Sequence, residues 1–155
     1  MTFGKTSALI VGVVAVWSAC ALATVSGVAP PATPGASPRQ ATTNDGIYTK
    51  AQADAAKAPF VKLCSECHAF TVAALKQPKD LPLGDEPFLK KWEGRSLDEL
   101  LTLIVTTMPN DGSAVVNDDE ALNLLAYVLQ QNGFAPGKGP LNKGGAAAII
   151  ERPRK

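Results

Sequence analysis

Apolar residues recur at helical spacing in three stretches of the chain, each preceded by a residue able to cap a helix. The first follows Thr49, with Gln52 at the capping-box distance; Ala56, Phe60 and Leu63 make its apolar side. Pro59 falls inside it and is expected to bend it or divide it into two turns. The second follows Ser96, with Glu99 at the box position; Leu97, Leu100, Leu101, Ile104 and Val105 repeat until Met108-Pro109 stops the run. The third follows Asn117, with Glu120 at the box position; Ala121, Leu124, Leu125 and Val128 form the stripe with Tyr127, and Asn132-Gly133 closes it. No alternating pattern of the kind a half-buried strand needs appears anywhere. The intervals 69–94 and 110–116 read as loops that carry single large side chains, Phe70, Phe88 and Trp92 among them. The pattern predicts an all-α domain of three main helices and long loops.

Outside that body the pattern changes twice. Lys5, the apolar run from Ala8 to Val16 and the small residues Ala19-Cys20-Ala21 and Ala21-Leu22-Ala23 have the anatomy of a secretory signal peptide, residues 1–23. Two alternatives stand beside cleavage: an uncleaved anchor, since the apolar stretch extends to Val28 and could span a bilayer, and lipid modification at Cys20. All three place the domain in an exported compartment, the periplasm of a bacterium, either soluble or tethered to the membrane by its N-terminus. Residues 24–46, rich in Pro, Ala, Ser, Thr and Gly, read as a linker. Residues 47–136 are the folded domain, and 137–155 are expected to be a flexible C-terminal tail whose short Ala-Ile stretch could equally pack on the domain.

Charge removes one class of function. The formal net charge of the 155-residue chain is +1 and falls to zero without Lys5, with no basic run of the kind a nucleic-acid groove requires, so no nucleic-acid partner is expected. A body of about 90 residues is also poorly supplied with buried surface and usually depends on a staple or a cofactor.

The chain has three cysteines and one histidine, and Cys64, Cys67 and His68 fall together in the five residues CSECH. A zinc site wants four ligands, usually as two separated pairs, and no further Cys or His stands in the domain. A dithiol redox couple places its reactive thiol at a helix N-terminus, whereas these cysteines follow a helix. C-x-x-C-H is also the attachment signature of a c-type haem. In that reading the two thiols add to the porphyrin vinyls, His68 comes beneath the iron, and Ser65 and Glu66 are spacers. The other axial ligand is then Met108, the one methionine besides the initiator, forty residues beyond His68 and held by Pro109 at the start of a loop. The alternative is a core methionine, which leaves the iron open or bound by lysine or water. With both axial positions filled by the protein, one-electron transfer is the expected function and no enzymatic activity is expected.

The segments GIYTKAQADAAKAPFVKLCSECH, FLKKWEGRSLDELLTLIVTTMP and NDDEALNLLAYVLQQNG together resemble a class I cytochrome c, the small monohaem bacterial type, over roughly residues 46–133. The wording around Phe88, Trp92 and Met108 is most similar to cytochrome domains that serve quinoprotein alcohol dehydrogenases. The resemblance implies a cytochrome c-like fold wrapped around one haem c, with the first and last helices crossing near Ala56, Phe60, Leu124 and Tyr127. It implies redox proteins as partners, a dehydrogenase as donor and a cytochrome or oxidase as acceptor, and a chain that is a monomer or a subunit of a complex. Trp92 and Arg95 are candidates to contact a haem propionate, with ordinary packing as the alternative for each. The chain departs from the family at Pro59, and in a short interval between His68 and Met108 that leaves the haem edge more open on that side. Two other readings remain: a haem subunit fixed in a dehydrogenase or oxidase complex, for which the tail could serve as a docking strap, and a haem enzyme with an open sixth iron position.

Overall fold

The computed structural model describes residues 39–76 and 81–154. The expected signal segment, and the linker before Arg39, lie outside the described residues. Within them the chain forms four helices: α1 (Lys50–Leu63), α2 (Asp85–Trp92), α3 (Leu97–Thr107) and α4 (Asp118–Gln131). Short 3-10 turns occupy Thr43–Asp45, Val72–Ala74 and Gly145–Ala147. The described residues form no strand, only two isolated bridges that Ile149 makes with Thr42 and Ser96. The fold is all-α, and no helix among the described residues is long and apolar enough to cross a membrane.

Helix α4 is the centre of the bundle. Eight of its residues are buried, from Ala121 to Leu129, so it is enclosed nearly all round rather than along one stripe. Both α1 and α3 pack against it. The α1 contact is pinned by the Phe60–Tyr127 ring pair at 5.2 Å, by Gln52 on Asn123 and by Gln130 on Asp54. Ala53 and Ala56 are buried in α1, small side chains that let helices approach closely.

The caps expected at Ser96 and Asn117 form as complete capping boxes with Glu99 and Glu120. At α1 only half of the box forms. Thr49 accepts from the Gln52 backbone N–H, while the Gln52 side chain turns away to Asn123 and to both backbone groups of Leu141. Pro59 does not divide α1, which is one helix through Leu63. Pro59 and Ala55, whose carbonyl loses its partner, are both exposed, so that carbonyl is open to solvent rather than buried without a donor.

Two expectations are corrected. The interval 69–94 is not all loop, because it contains α2. Asp85 and Glu86 lie in its first turn and Lys90 and Lys91 in its last, as the helix macrodipole favours, and it buries Phe88 and Trp92, one turn apart. The residues beyond Gly137 are not a loose tail: Leu141, Ala146, Ala148 and Ile150 are buried. Their backbone runs between two other segments. Ile149 bonds Ala41 and Thr43 on one side, while Ala148 and Ile150 bond Leu97, Gly94 and Arg95 on the other. Arg152 then bonds Glu86 and Glu93 of the α2 region. Because this strap uses residues 41–43, the folded body extends at both ends past the expected 47–136. At its start Gly137 meets Gly46 so closely that a Cβ on Gly137 would lie 1.6 Å from the Gly46 carbonyl oxygen.

Candidate functional site

The CSECH segment is the turn that ends α1. The Cys64 N–H closes the helix on Phe60 O at 2.9 Å, and the chain then folds back on itself, with Cys67 N–H and His68 N–H both donating to Cys64 O at 3.1 and 2.9 Å. Ser65 Oγ donates to Val61 O. One turn, closed by these backbone bonds, thereby carries Cys64, Cys67 and His68. The thiols occupy different media. Cys64 is half-buried against the core, and burial pushes its pKa up to about 11. Cys67 is exposed, and both cysteines are free thiols.

His68 is oriented by the chain that follows α1. Its Nδ1 lies 3.0 Å from Leu81 O. With Nδ1–H donating to that carbonyl, Nε2 keeps its lone pair and points its basicity elsewhere, the arrangement metal-binding histidines use. The two segments run on together: Leu83 N–H donates to Ala69 O at 2.7 Å, and Gly84 lies so close to Phe70 that a Cβ there would be 2.2 Å from Phe70 O. Phe70 stacks on Phe60 at 5.0 Å and meets Tyr127 edge-on at 5.7 Å, which ties this region back to the α1–α4 crossing.

Met108 is the C-cap of α3, with its N–H on Ile104 O and an extended backbone that leaves the helix. It is half-buried. Leu63, Phe70 and Leu83 around the CSECH turn, and Leu103, Ile104 and Val105 on the last turns of α3, are likewise only partly buried where they pack on the core. Val61, Val72 and Leu81, on segments flanking the turn, are more than half exposed.

Trp92 and Arg95 form a separate group. Trp92 is buried, and the Arg95 guanidinium lies over its ring at 4.5 Å. Arg95 also donates through Nε and Nη2 to Glu99 Oε2 at 2.9 and 2.6 Å, so it already has a carboxylate partner. The structure thus sets Cys64, Cys67 and His68 on one backbone turn, pairs Trp92 with Arg95, and places Met108 at the C-cap of α3. Among the described residues, no group of three or more His, Cys, Asp or Glu side chains gathers as around a bare metal ion. Two shallow cavities, of about 240 and 260 Å³, are lined by neither the CSECH residues nor Met108.

Sequence reasoning missed the Leu81 carbonyl, since backbone partners have no side-chain signature. It also missed Asn132, read only as a helix stop, whose side chain donates to Leu83 O and Val128 O. Compared with protein-family models, with curated proteins and with solved structures, the chain shows no match.

Proposed function

We propose that this chain is a periplasmic one-electron carrier holding a single haem c. Thioether bonds from Cys64 and Cys67 would attach the haem, with His68 and Met108 as its axial ligands, on a cytochrome c-like fold. The observation that carries the reading is the His68 Nδ1 contact with Leu81 O at 3.0 Å, on the same turn as two unpaired thiols. With Nδ1–H donating to the carbonyl, Nε2 would be left free to bind iron, with the ring held as metal-binding histidines are held. Leu63 beside the turn and Leu103, Ile104 and Val105 on α3 are only partly buried, and a haem bound between His68 and Met108 would cover apolar side chains of this kind.

The rival chemistries fit these residues less well. A dithiol couple needs a thiolate of depressed pKa at a helix N-terminus; here the turn ends α1, where the macrodipole opposes negative charge, and the Cys64 pKa is raised to about 11. Zinc needs a cluster of ligands that the described residues do not provide, whereas a haem iron asks the protein for only two axial ligands. Trp92 and Arg95 belong to the proposal at its edge, because a propionate would have to draw Arg95 from Glu99.

When bound, the group supplies a one-electron Fe(III)/Fe(II) couple, whose potential a thioether ligand raises relative to a second imidazole. The protein's part is to hold the imidazole in one tautomer, keep both thiols within one turn, and offer sulfur from the end of α3. The strap beyond Gly137 buries its own apolar residues in this domain, which favours a carrier that docks transiently over one strapped into a complex. Donor and acceptor are proposed to be a dehydrogenase and a cytochrome or oxidase.

Substitution of Met108 tests the ligand set. Met108→His should keep the haem covalent and lower its reduction potential. Carbon monoxide should leave the spectrum of the reduced parent unchanged and alter that of Met108→Ala. An unchanged potential in the histidine variant, or carbon monoxide binding to the parent, would remove Met108 from the site.

A further inference from the structure

We propose that Asn132, at the C-terminus of α4, is a positioning residue for His68, acting through the Leu81–Gly84 segment. The inference rests on the haem reading only for what His68 finally binds; the chain of contacts is independent of it. Leu81 offers the carbonyl that holds the imidazole, but its own side chain is more than half exposed and anchors nothing. Its place is set by the residues after it. Pro82 is buried, Leu83 N–H donates to Ala69 O at 2.7 Å, and Leu83 O accepts from Asn132 Nδ2 at 2.7 Å. The same Nδ2 donates to Val128 O at 2.8 Å. Two carbonyls on one group require the NH2 end of the amide there, and together they lock the side chain to the last turn of α4.

The amide thus clamps the Leu81 loop to α4, the helix with most buried residues among the described ones. Gly84 completes the clamp: a Cβ there would collide with Phe70 O and would press on Asn132 Oδ1 at 3.3 Å. Rigid α4 reaches the imidazole in three steps: Asn132 to Leu83, Leu83 to Leu81 along the chain, and Leu81 O to Nδ1. Releasing the clamp frees the ring to tilt and its N–H to meet water.

The single histidine of the chain makes a clean probe. Full-length protein labelled with ¹⁵N-histidine is produced in an exporting host and studied reduced, and solvent exchange of the His68 ring N–H is measured by NMR. Asn132→Asp keeps the shape and removes both donors; Gly84→Ala attacks the same clamp from the other side. Each should speed exchange about five- to tenfold, the effect of one hydrogen bond lost from a local opening. Gln52→Ala, which also removes contacts between helices and strap but none at the loop, should change it less than about twofold. Parent-like exchange in Asn132→Asp and in Gly84→Ala would overturn the proposal, and so would an equal rise in Gln52→Ala, which would mean that only global stability is being read. If Asn132→Asp does not fold, Gly84→Ala decides by itself. The intact mass of the same sample reports haem separately, so a haem-free chain would sink the cofactor reading and still leave the exchange comparison to judge Asn132.

Discussion

Cys64 and Cys67 share a turn but not an environment, and the difference has a measurable consequence. Burial disfavours the charged thiolate, so the Cys64 pKa rises to about 11. At pH 8 only about one Cys64 in a thousand is then ionised in the haem-free chain. Iodoacetamide should modify exposed Cys67 first, and the Cys64 rate should keep climbing with pH up to about 11, as followed by peptide mapping. Equal rates at pH 8 would contradict the burial. A thiol pKa raised by folding means that the folded chain holds the proton more tightly. The associated stability is present below the ordinary thiol pKa and is lost as pH rises toward about 11. At this scale the sequence singles out Cys64, Cys67, His68 and Met108 as candidates because soft ligands are few in it. It was silent on what orients them. A backbone carbonyl such as that of Leu81, or an amide such as Asn132 reaching across to Leu83, becomes a partner only after the chain has folded.

Elements were legible where local chemistry decides. The starts of α1, α3 and α4 were readable because Thr49, Ser96 and Asn117 each accept a backbone N–H that would otherwise be orphaned. Ser96→Ala and Asn117→Ala should each cost about 1 kcal/mol in urea unfolding, as losses of N-caps do. Values near zero would mean that the boxes contribute nothing. Helix α2 was harder. It spans eight residues, too few for a repeating stripe, and has no side-chain cap at Gly84. Its signal lay in acids at one end, lysines at the other and Phe88 one turn before Trp92. The Gln52 box failed for a tertiary reason: three bonds to Asn123 and Leu141 outbid a local one.

On the scale of the whole molecule the largest difference is the C-terminal strap. Its composition of Gly, Lys, Pro and Ala resembles that of a linker, and single apolar residues such as Leu141 and Ile150 make no period. Their value appears only when the strap lies between residues 41–43 and the start of α3 and drops them into the core. Ile150 is 1% exposed. Ile150→Ala should therefore cost about 2–5 kcal/mol, the range for emptying a buried aliphatic site, read as a lowered urea midpoint. A loss under about 0.5 kcal/mol, typical of a surface change, would return the segment to a loose tail. The all-α class followed from sequence pattern, while the limits of the folded body did not, because long-range closure leaves no local trace.

The central claim is that a haem is bonded through Cys64 and Cys67 to the turn that ends α1. The most direct measurement is the intact mass of the protein purified from an exporting, haem-loading host, taken after acid and organic-solvent extraction. With the haem bonded there, the polypeptide keeps both the added mass of one haem and its red colour, and replacing both cysteines by alanine removes them. A polypeptide that emerges colourless, at the mass of its amino acids alone, would contradict it.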